Sequence, residues 1–274
     1  MRIKIKTNIY QEMLQDYFND YDINLKIKES ILYSFMSEGK FIRSKLFNNF
    51  LLDLGLDPKH YLNMAMAIEM IHTYSLIHDD LPCMDDDDYR RSKLTNHKVY
   101  GEDIALLSGD ALLTHAFEYL VLDIKDKHVK DVILFTTQAI GINGGMINGQ
   151  VLDILQVNDI EKIHIQKTAS LLSLSFILPL IISENKDKIN YYKDYAYKLG
   201  LYYQIQDDYF DTYGSIEQIG KASNSDQDKY TYTKMYSKQD LESLLKEMNK
   251  SLLDSIKEQQ NTIKVIKKIV NRER

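Results

Sequence analysis

The sequence predicts an all-α fold organised as a single domain. Only three prolines and eleven glycines punctuate its 274 residues, too few turn signals for an all-β sandwich. Neither sustained apolar/polar alternation nor a strand–helix alternation with a GxGxxG loop is visible, which argues against a doubly wound sheet. Long segments instead carry apolar residues at spacings of three and four, the period of an α-helix. With no linker, low-complexity tract or repeat in the sequence, residues 1–274 are predicted to form one domain.

Four segments carry the strongest helical pattern. The first three are apolar nearly all round, as expected in the middle of a bundle, and the last is amphipathic and expected on the outside. The three apolar segments are 62–78, 103–122 and 160–180, and the amphipathic segment is 240–270. Breaks rich in Gly, Asn and Asp are expected at 53–58, 141–149 and 214–228.

Charge and cysteine content exclude several classes of protein. The net charge of -6 argues against a general nucleic-acid binder. Cys83 is the only cysteine, which rules out an internal disulfide or a thiolate metal cluster and fits a cytoplasmic protein. The N-terminus lacks the apolar run of a signal peptide. The longest apolar stretch, near 171–182, contains Pro179 and two serines and is too short to span a bilayer, so we expect a buried helix and no stable membrane insertion.

Six aspartates lie within ten residues of the segment HDDLPCMDDDDYRR. Such carboxylates raise one another's pKa unless cations neutralise them, and donors of oxygen alone suit Mg²⁺ or Mn²⁺ better than zinc. Pro82 should kink the helix that leads into the cluster, which could bring Asp85 back towards Asp79. The plainer alternative is an acidic, solvated helix end. Arg90 and Arg91 follow, either to pair with the acidic run or to grip phosphate oxygens.

A second aspartate cluster occurs in YYQIQDDYFDTYG. Asp207 and Asp211 are four residues apart and share one helical face, where like charges destabilise a helix unless a cation bridges them. One DDxxD motif is weak evidence. Two such clusters, each on an apolar helix and each followed by basic residues, predict a magnesium-dependent enzyme that acts on diphosphate esters.

From about Ser37 to Tyr232 the sequence resembles the trans-isoprenyl diphosphate synthase family, in particular bacterial-type farnesyl and geranyl diphosphate synthases. Its motifs occur in the family's order, with His72 seven residues before Asp79. They are GKFIR at 39–43, HDDLPCMDDDDYRR, SGDALL at 108–113, NGQVLD at 148–153, QKTASL at 166–171 and QIQDDYFD. The resemblance implies a bundle of about ten or more helices around a central cavity, usually a homodimer. It also implies three Mg²⁺ ions bridging both aspartate motifs to an allylic diphosphate.

The resemblance also assigns roles to residues. The expected reaction joins isopentenyl diphosphate to dimethylallyl or geranyl diphosphate, after ionisation of the allylic partner. The expected metal ligands are Asp79, Asp80, Asp85, Asp207, Asp208 and Asp211. The allylic diphosphate would be held by Arg90, Lys167, Lys221 and Lys229. Isopentenyl diphosphate would be held by Lys40, Arg43, His72 and Arg91. Thr168 and Gln204 would lie beside the developing cation, with Lys167 as the third catalytic residue.

Product length in this family depends on the residues before the first motif. Tyr74 lies five residues before Asp79, about 7.5 Å along a helix, and a large ring there would stop a growing chain. Tyr74 with Ser75 resembles farnesyl-type enzymes, so we predict a C15 product, with geranyl or geranylgeranyl diphosphate synthase as the alternative.

Two further classes compete with this interpretation. A class I terpene cyclase would carry an Asn/Asp–Ser/Thr–Glu motif in place of the second DDxxD, and the sequence shows none. A non-catalytic subunit of a heteromeric synthase typically loses aspartates from one motif, whereas both are intact here. The sequence departs from the family pattern at Glu38, Ser44 and Ser92, where glycine, proline and glycine are usual, and in a shortened segment before Lys229.

Overall fold

The computed structural model describes residues 9–20, 22–37, 39–214 and 231–271, and these confirm the predicted all-α class. The α-helices are α1 Ile9–Asp20, α2 Leu25–Phe35, α3 Ile42–Asp53, α4 Leu62–Asp79, α5 Asn96–Tyr100, α6 Glu102–Leu122, α7 Asp126–Ile140, α8 Met146–Ile154, α9 Ile160–His164, α10 Ser170–Ile182, α11 Ile189–Tyr213, α12 Tyr232–Met235, α13 Lys238–Ser255 and α14 Thr262–Val270. Short 3-10 turns cover Pro58–Tyr61 and Lys186–Lys188, and a π-helical turn covers Ile165–Ala169. The strands described are β1 Tyr89–Arg90 and β2 Lys93–Leu94, which pair antiparallel.

The chain divides into two compact units, of which the first comprises Met1–Asn48 and Asp57–Val129. Its core is α4, whose buried residues face almost every direction, as the all-round apolar sequence predicts. Helix α6 packs along α4. Small residues on the buried stripe of α6 allow this close approach. The stripe contains Ala105, Ser108, Gly109, Leu112 and Ala116.

The second unit comprises Asn49–Leu56 and Lys130–Arg274. Every residue of α10 is buried, and α11 packs on α10 and on α13. Asp53 supplies a cap from a distant part of the sequence. Its carboxylate accepts four hydrogen bonds, from the backbone and side chain of both Asn261 and Thr262, and so satisfies donors at the start of α14.

Two helical segments differ from the sequence prediction. The segment 160–180 is helical but contains the π turn Ile165–Ala169. The segment 240–270 forms two helices, because the chain leaves α13 after Ser255 and starts again at Thr262, where Asp53 caps it. No glycine or proline marks either interruption in the sequence.

Among the residues that the structure describes, two helical runs would be long and apolar enough to cross a membrane by length and composition alone. In Ile160–Ile182, 78% of the apolar window is buried within the protein, as in the core helix of a globular fold. In Glu102–Leu122 the buried share is 39%, so part of the apolar surface of α6 faces outward.

Candidate active site

The first aspartate motif turns back on itself after α4. The backbone N–H of Asp85 donates to the carbonyl of Asp79 at 2.9 Å, and that of Asp86 donates to Leu81 at 3.2 Å. Asp86 adopts a left-handed φ of 50° in this turn. Helix α4 ends at Asp79, three residues before Pro82, so Pro82 does not kink it. The turn that follows the helix brings Asp85 back to Asp79, and that part of the prediction is confirmed.

Asp80 is buried and paired with Arg90. Its carboxylate is 3% exposed and accepts a 2.6 Å hydrogen bond from Arg90 Nε. Arg90 also donates to Asp87 at 3.2 Å. Burial raises the pKa of Asp80, and the hydrogen bond and charge of Arg90 oppose that rise. The structure shows the pairing of Arg90 with the acidic run, and the contact of Arg90 with phosphate stays a prediction.

The β1–β2 hairpin places Arg91 against the GKFIR segment. Arg91 and Ser92 form its two-residue turn with φ values of 53° and 63°, the left-handed region that such turns require and that glycine adopts without strain. A Cβ on Gly39 would lie 2.8 Å from Arg91 Nη1. The guanidinium therefore lies directly against the backbone of the GKFIR segment.

His72 lies within electrostatic range of three arginines in the first unit. Its pKa is held well below the ordinary value, first by burial and then by the charges of Arg43, Arg91 and Arg90. The neutral imidazole can give one hydrogen bond and accept another. Three of the four residues predicted to hold isopentenyl diphosphate thus lie near one another. The fourth, Lys40, is exposed just before α3.

Tyr74 and His78 lie one turn apart on α4 behind the motif. Tyr74 is 5% exposed, and its ring meets the imidazole of His78 edge to face at 5.7 Å. Burial, followed by the charge of Asp79, raises the pKa of Tyr74 to about 12. Ser75, the other predicted length determinant, donates to the carbonyl of His72 at 2.9 Å. The Tyr74 ring is therefore fixed within the packed part of α4.

In the second unit, Lys167 and Thr168 lie within the π turn. Two glycines bring neighbouring helices against this turn. A side chain on Gly149 of α8 would overlap the backbone of Lys167, and one on Gly200 of α11 would overlap Ala169. Short π segments inside α-helices occur frequently at functional sites, and here the turn carries two of the three predicted catalytic residues.

Lys167 is held by Asp153, a carboxylate for which the sequence predicted no role. Its Nζ donates to Asp153 Oδ2 at 2.6 Å, and both side chains are about one quarter exposed, at 24% and 22%. Asp153 is the last residue of the NGQVLD motif. The motif was therefore identified in the sequence, but the ion pair that its aspartate forms with Lys167 was not predicted. His164 lies nearby, and its pKa falls to about 4 through burial, with Asp153 raising it and Lys167 lowering it.

The second aspartate motif extends along α11. Gln204, Asp207 and Asp211 are spaced so that they share one side of the helix. Asp208 accepts a 2.8 Å hydrogen bond from the backbone N–H of Tyr232, the first residue of α12. Lys221 and Lys229, predicted to hold the allylic diphosphate, lie outside the described residues, as does Glu38.

The donor set fits Mg²⁺. Within the described ranges, no three carboxylate, imidazole or thiol side chains are close enough to hold an ion by themselves. Magnesium commonly takes one or two carboxylates and completes its shell with water and substrate phosphate oxygens. In the first unit such carboxylates are supplied by Asp79 and Asp85, whose backbones the turn brings together. In the second unit they are supplied by the aspartates of α11.

Comparison with known proteins agrees with the motifs. A family model for polyprenyl synthetase matches residues 24–272. Farnesyl diphosphate synthase of Micrococcus luteus is 40% identical over 242 residues, which are 85% of this chain and 83% of that protein. The chloroplastic heterodimeric geranylgeranyl pyrophosphate synthase large subunit 1 of Arabidopsis thaliana is 39% identical over 249 residues, 85% of this chain and 67% of that protein.

A solved structure gives the same result at the level of the fold. Geranyltransferase from Helicobacter pylori, complexed with magnesium and isoprenyl diphosphate, has a TM-score of 0.78 at 27% identity and covers 99% of this chain and 97% of its own. The chain belongs to the polyprenyl synthetase family, as its motifs predicted.

Proposed function

We propose that this protein is a short-chain prenyltransferase that joins isopentenyl diphosphate to dimethylallyl or geranyl diphosphate. The observation that carries the proposal is that Arg43 and Arg91 lie within electrostatic range of His72, in the unit that also holds the Asp79–Asp85 turn. A cationic cluster suits one diphosphate, and a carboxylate turn suits a metal-bound diphosphate. Two anionic substrates with different binding chemistry are what a condensing enzyme needs.

The reaction begins when the C–O bond of the allylic substrate breaks and the diphosphate leaves with the electron pair. Arg90 and Lys167 would stabilise the charge on that leaving group. Mg²⁺ held by the aspartates would neutralise the same oxygens. The double bond of isopentenyl diphosphate, positioned by Arg43, His72 and Arg91, then attacks the allylic cation. One proton is lost to the departing diphosphate, which is free to accept it.

The ligand roles form part of the same proposal. The metal ligands would be Asp79, Asp85, Asp207 and Asp211, with Asp80 and Asp208 in support and with three Mg²⁺ ions, Mn²⁺ being the alternative. Thr168 and Gln204 would lie beside the cation. The family model spans sequence from both compact units, which supports one polyprenyl synthase domain in residues 1–274. A cytoplasmic location agrees with a single cysteine.

The proposed product is farnesyl diphosphate. A buried aromatic ring at position 74 supports it, as does the name of the Micrococcus luteus relative. The name of the Arabidopsis relative supports the alternative, a geranylgeranyl diphosphate synthase.

We further propose a homodimer formed through α6. Several large apolar side chains on or just before this helix are exposed, among them Val99 at 44%, Leu107 at 52% and Leu122 at 56%. Acidic residues such as Asp110 and Glu118 share the exposed side, which disfavours contact with lipid and suits a protein surface. Sedimentation should show a dimer, and Leu107→Glu should yield a monomer.

The experiment that tests the function is condensation by the purified protein. Isopentenyl diphosphate is supplied with dimethylallyl or geranyl diphosphate, with Mg²⁺ or with chelator, and the alcohols are identified by mass spectrometry after phosphatase treatment. Magnesium-dependent farnesol is the expected result. A C10 or C20 alcohol would support the prenyltransferase activity but contradict the proposed C15 product. No condensation with either allylic substrate would favour a non-catalytic subunit.

A further inference from the structure

The buried carboxylate of Glu69 joins the helix that carries Arg43 to the helix that carries His72. Glu69 lies on α4 and is 5% exposed. Its Oε1 accepts a 2.8 Å hydrogen bond from the backbone N–H of Ser44, the third residue of α3. Because Lys45 N–H is the donor that bonds to Phe41 O, the N–H of Ser44 lies in the first turn, where it has no partner within the helix. Glu69 therefore caps α3 from α4.

The hydrogen bond stabilises both the N-terminus of α3 and the buried carboxylate of Glu69. A carboxylate is stabilised at a helix N-terminus by the helix dipole, and a buried carboxylate is costly unless it is hydrogen-bonded. Glu69 and His72 are three residues apart on one face of α4, and Arg43 directly precedes Ser44. The hydrogen bond thus joins the first turn of α3, which carries Arg43, to the face of α4 that carries His72. The charge of Arg43 contributes to the lowered pKa of His72.

Ser44 is one of the positions at which the chain departs from the family's usual residues. Proline, usual there, has no N–H and is tolerated in the first helical turn. The Ser44 hydroxyl donates to Phe41 O at 3.2 Å and also forms a hydrogen bond with the Tyr10 side chain. The link from Ser44 to Glu69 is therefore made by its backbone N–H.

We propose that Glu69 is a positioning residue for isopentenyl diphosphate. Through the N–H of Ser44 it fixes the first turn of α3, and with it Arg43, relative to His72. The identity of the ligand rests on the proposed function, whereas the link between the two helices does not.

The test compares Ser44→Pro, which removes the N–H, with Ser44→Ala, which keeps it and removes only the hydroxyl. Glu69→Gln is the third variant, since it keeps an acceptor and removes the charge. Calorimetry with isopentenyl diphosphate alone measures affinity without turnover, and steady-state kinetics measures KM for both substrates. Ser44→Pro should weaken isopentenyl diphosphate binding about tenfold, of the order expected for one charge-assisted hydrogen bond. Its KM for geranyl diphosphate should stay unchanged. Ser44→Ala should match the parent, and Glu69→Gln should lie between them.

Equal affinities in Ser44→Pro and Ser44→Ala would overturn the proposal. So would an equal rise in KM for both substrates, because that pattern reports general loss of structure. Melting curves for all variants identify any that fail to fold. If Ser44→Pro does not fold, Glu69→Gln replaces it as the test, because it leaves every backbone donor in place. Parent-like affinity for isopentenyl diphosphate in Glu69→Gln would then overturn the proposal. Failure of the proposed function has a different signature, in which the parent neither binds isopentenyl diphosphate nor condenses it.

Discussion

Lys167 donates a 2.6 Å hydrogen bond to Asp153 from a π-helical turn whose backbone lies directly against Gly149. Gly149 and Asp153 are four residues apart on α8, so one face of that helix both admits the turn and holds its ammonium group. The close approach and the ion pair therefore fix the direction of Lys167 before any substrate arrives. Such preorganisation is what a group that stabilises a leaving diphosphate requires.

Replacement of Asp153 by Asn should disorder Lys167 without removing it. A neutral amide holds an ammonium group less strongly than a carboxylate, so kcat/KM for geranyl diphosphate should fall about tenfold, equivalent to about 1.4 kcal/mol. Asp159→Asn is the control, since Asp159 caps α9 through Lys162 N at 3.1 Å and Asn caps equally well. Equal activity in the two variants would show that Asp153 does not position Lys167.

His164 should make stability depend on pH. Its pKa of about 4 in the folded protein, against about 6.5 when unfolded, means that the unfolded chain binds the proton first as pH falls. The stability contributed by the neutral imidazole is therefore present above about pH 6.5 and is lost between about 6.5 and 4. Between pH 7 and 5 the loss is about 2 kcal/mol. Urea unfolding at both pH values should show a correspondingly smaller loss in His164→Phe, and identical losses would contradict the assignment.

The parts of the structure that the sequence predicted depend on local signals. The apolar pattern of 62–78 placed α4, and Pro82 with the acidic run indicated the return of Asp85. What was not predicted depends on contacts between distant segments. The interruption between α13 and α14 follows from the cap that Asp53 provides, and the contact of Gly200 with the π turn becomes apparent only once α11 packs there.

The role of Asp80 shows the same limit at the site. The aspartates of the first cluster cannot be told apart by residue type. Only the fold shows that Asp80 is buried and paired with Arg90, whereas Asp85 is exposed. The π turn was missed for a related reason. Residues 165–169 keep the apolar spacing of a helix, and the extra residue in the turn is accommodated by glycines on two other helices.

Ser92→Gly should stabilise the protein. Ser92 has a φ of 63° in the hairpin turn, a conformation that costs a residue with a Cβ about 1–2 kcal/mol. Glycine removes that cost but adds freedom to the unfolded chain, so the net gain should be about 0.5–1 kcal/mol. Ser251→Gly, at an exposed position within α13, should instead destabilise by about 0.5 kcal/mol. Changes of the same sign in the two variants would contradict a strained turn at Ser92.

Cys83 offers a test of the substrate site that does not require turnover. It is the only cysteine, is exposed and lies in the loop between Asp80 and Asp85. Iodoacetamide should therefore add one group per native chain, as measured by mass spectrometry. Geranyl diphosphate with Mg²⁺ should slow the labelling in proportion to fractional saturation, because the ligand would cover this loop. An unchanged labelling rate under conditions where calorimetry shows saturation would place the diphosphate elsewhere.

Tyr74 should limit product length by the bulk of its ring. Its Oη is buried without a hydrogen-bond partner among the described residues, so Tyr74→Phe keeps the ring and removes only an unpaired hydroxyl. That variant should still give C15. Tyr74→Ala removes the ring and should lengthen the product to C20 or beyond, at a cost in stability of about 3–5 kcal/mol. Products should therefore be analysed by mass spectrometry at a temperature where circular dichroism shows the variant folded. A C15 product from folded Tyr74→Ala would mean that another side chain stops the growing chain.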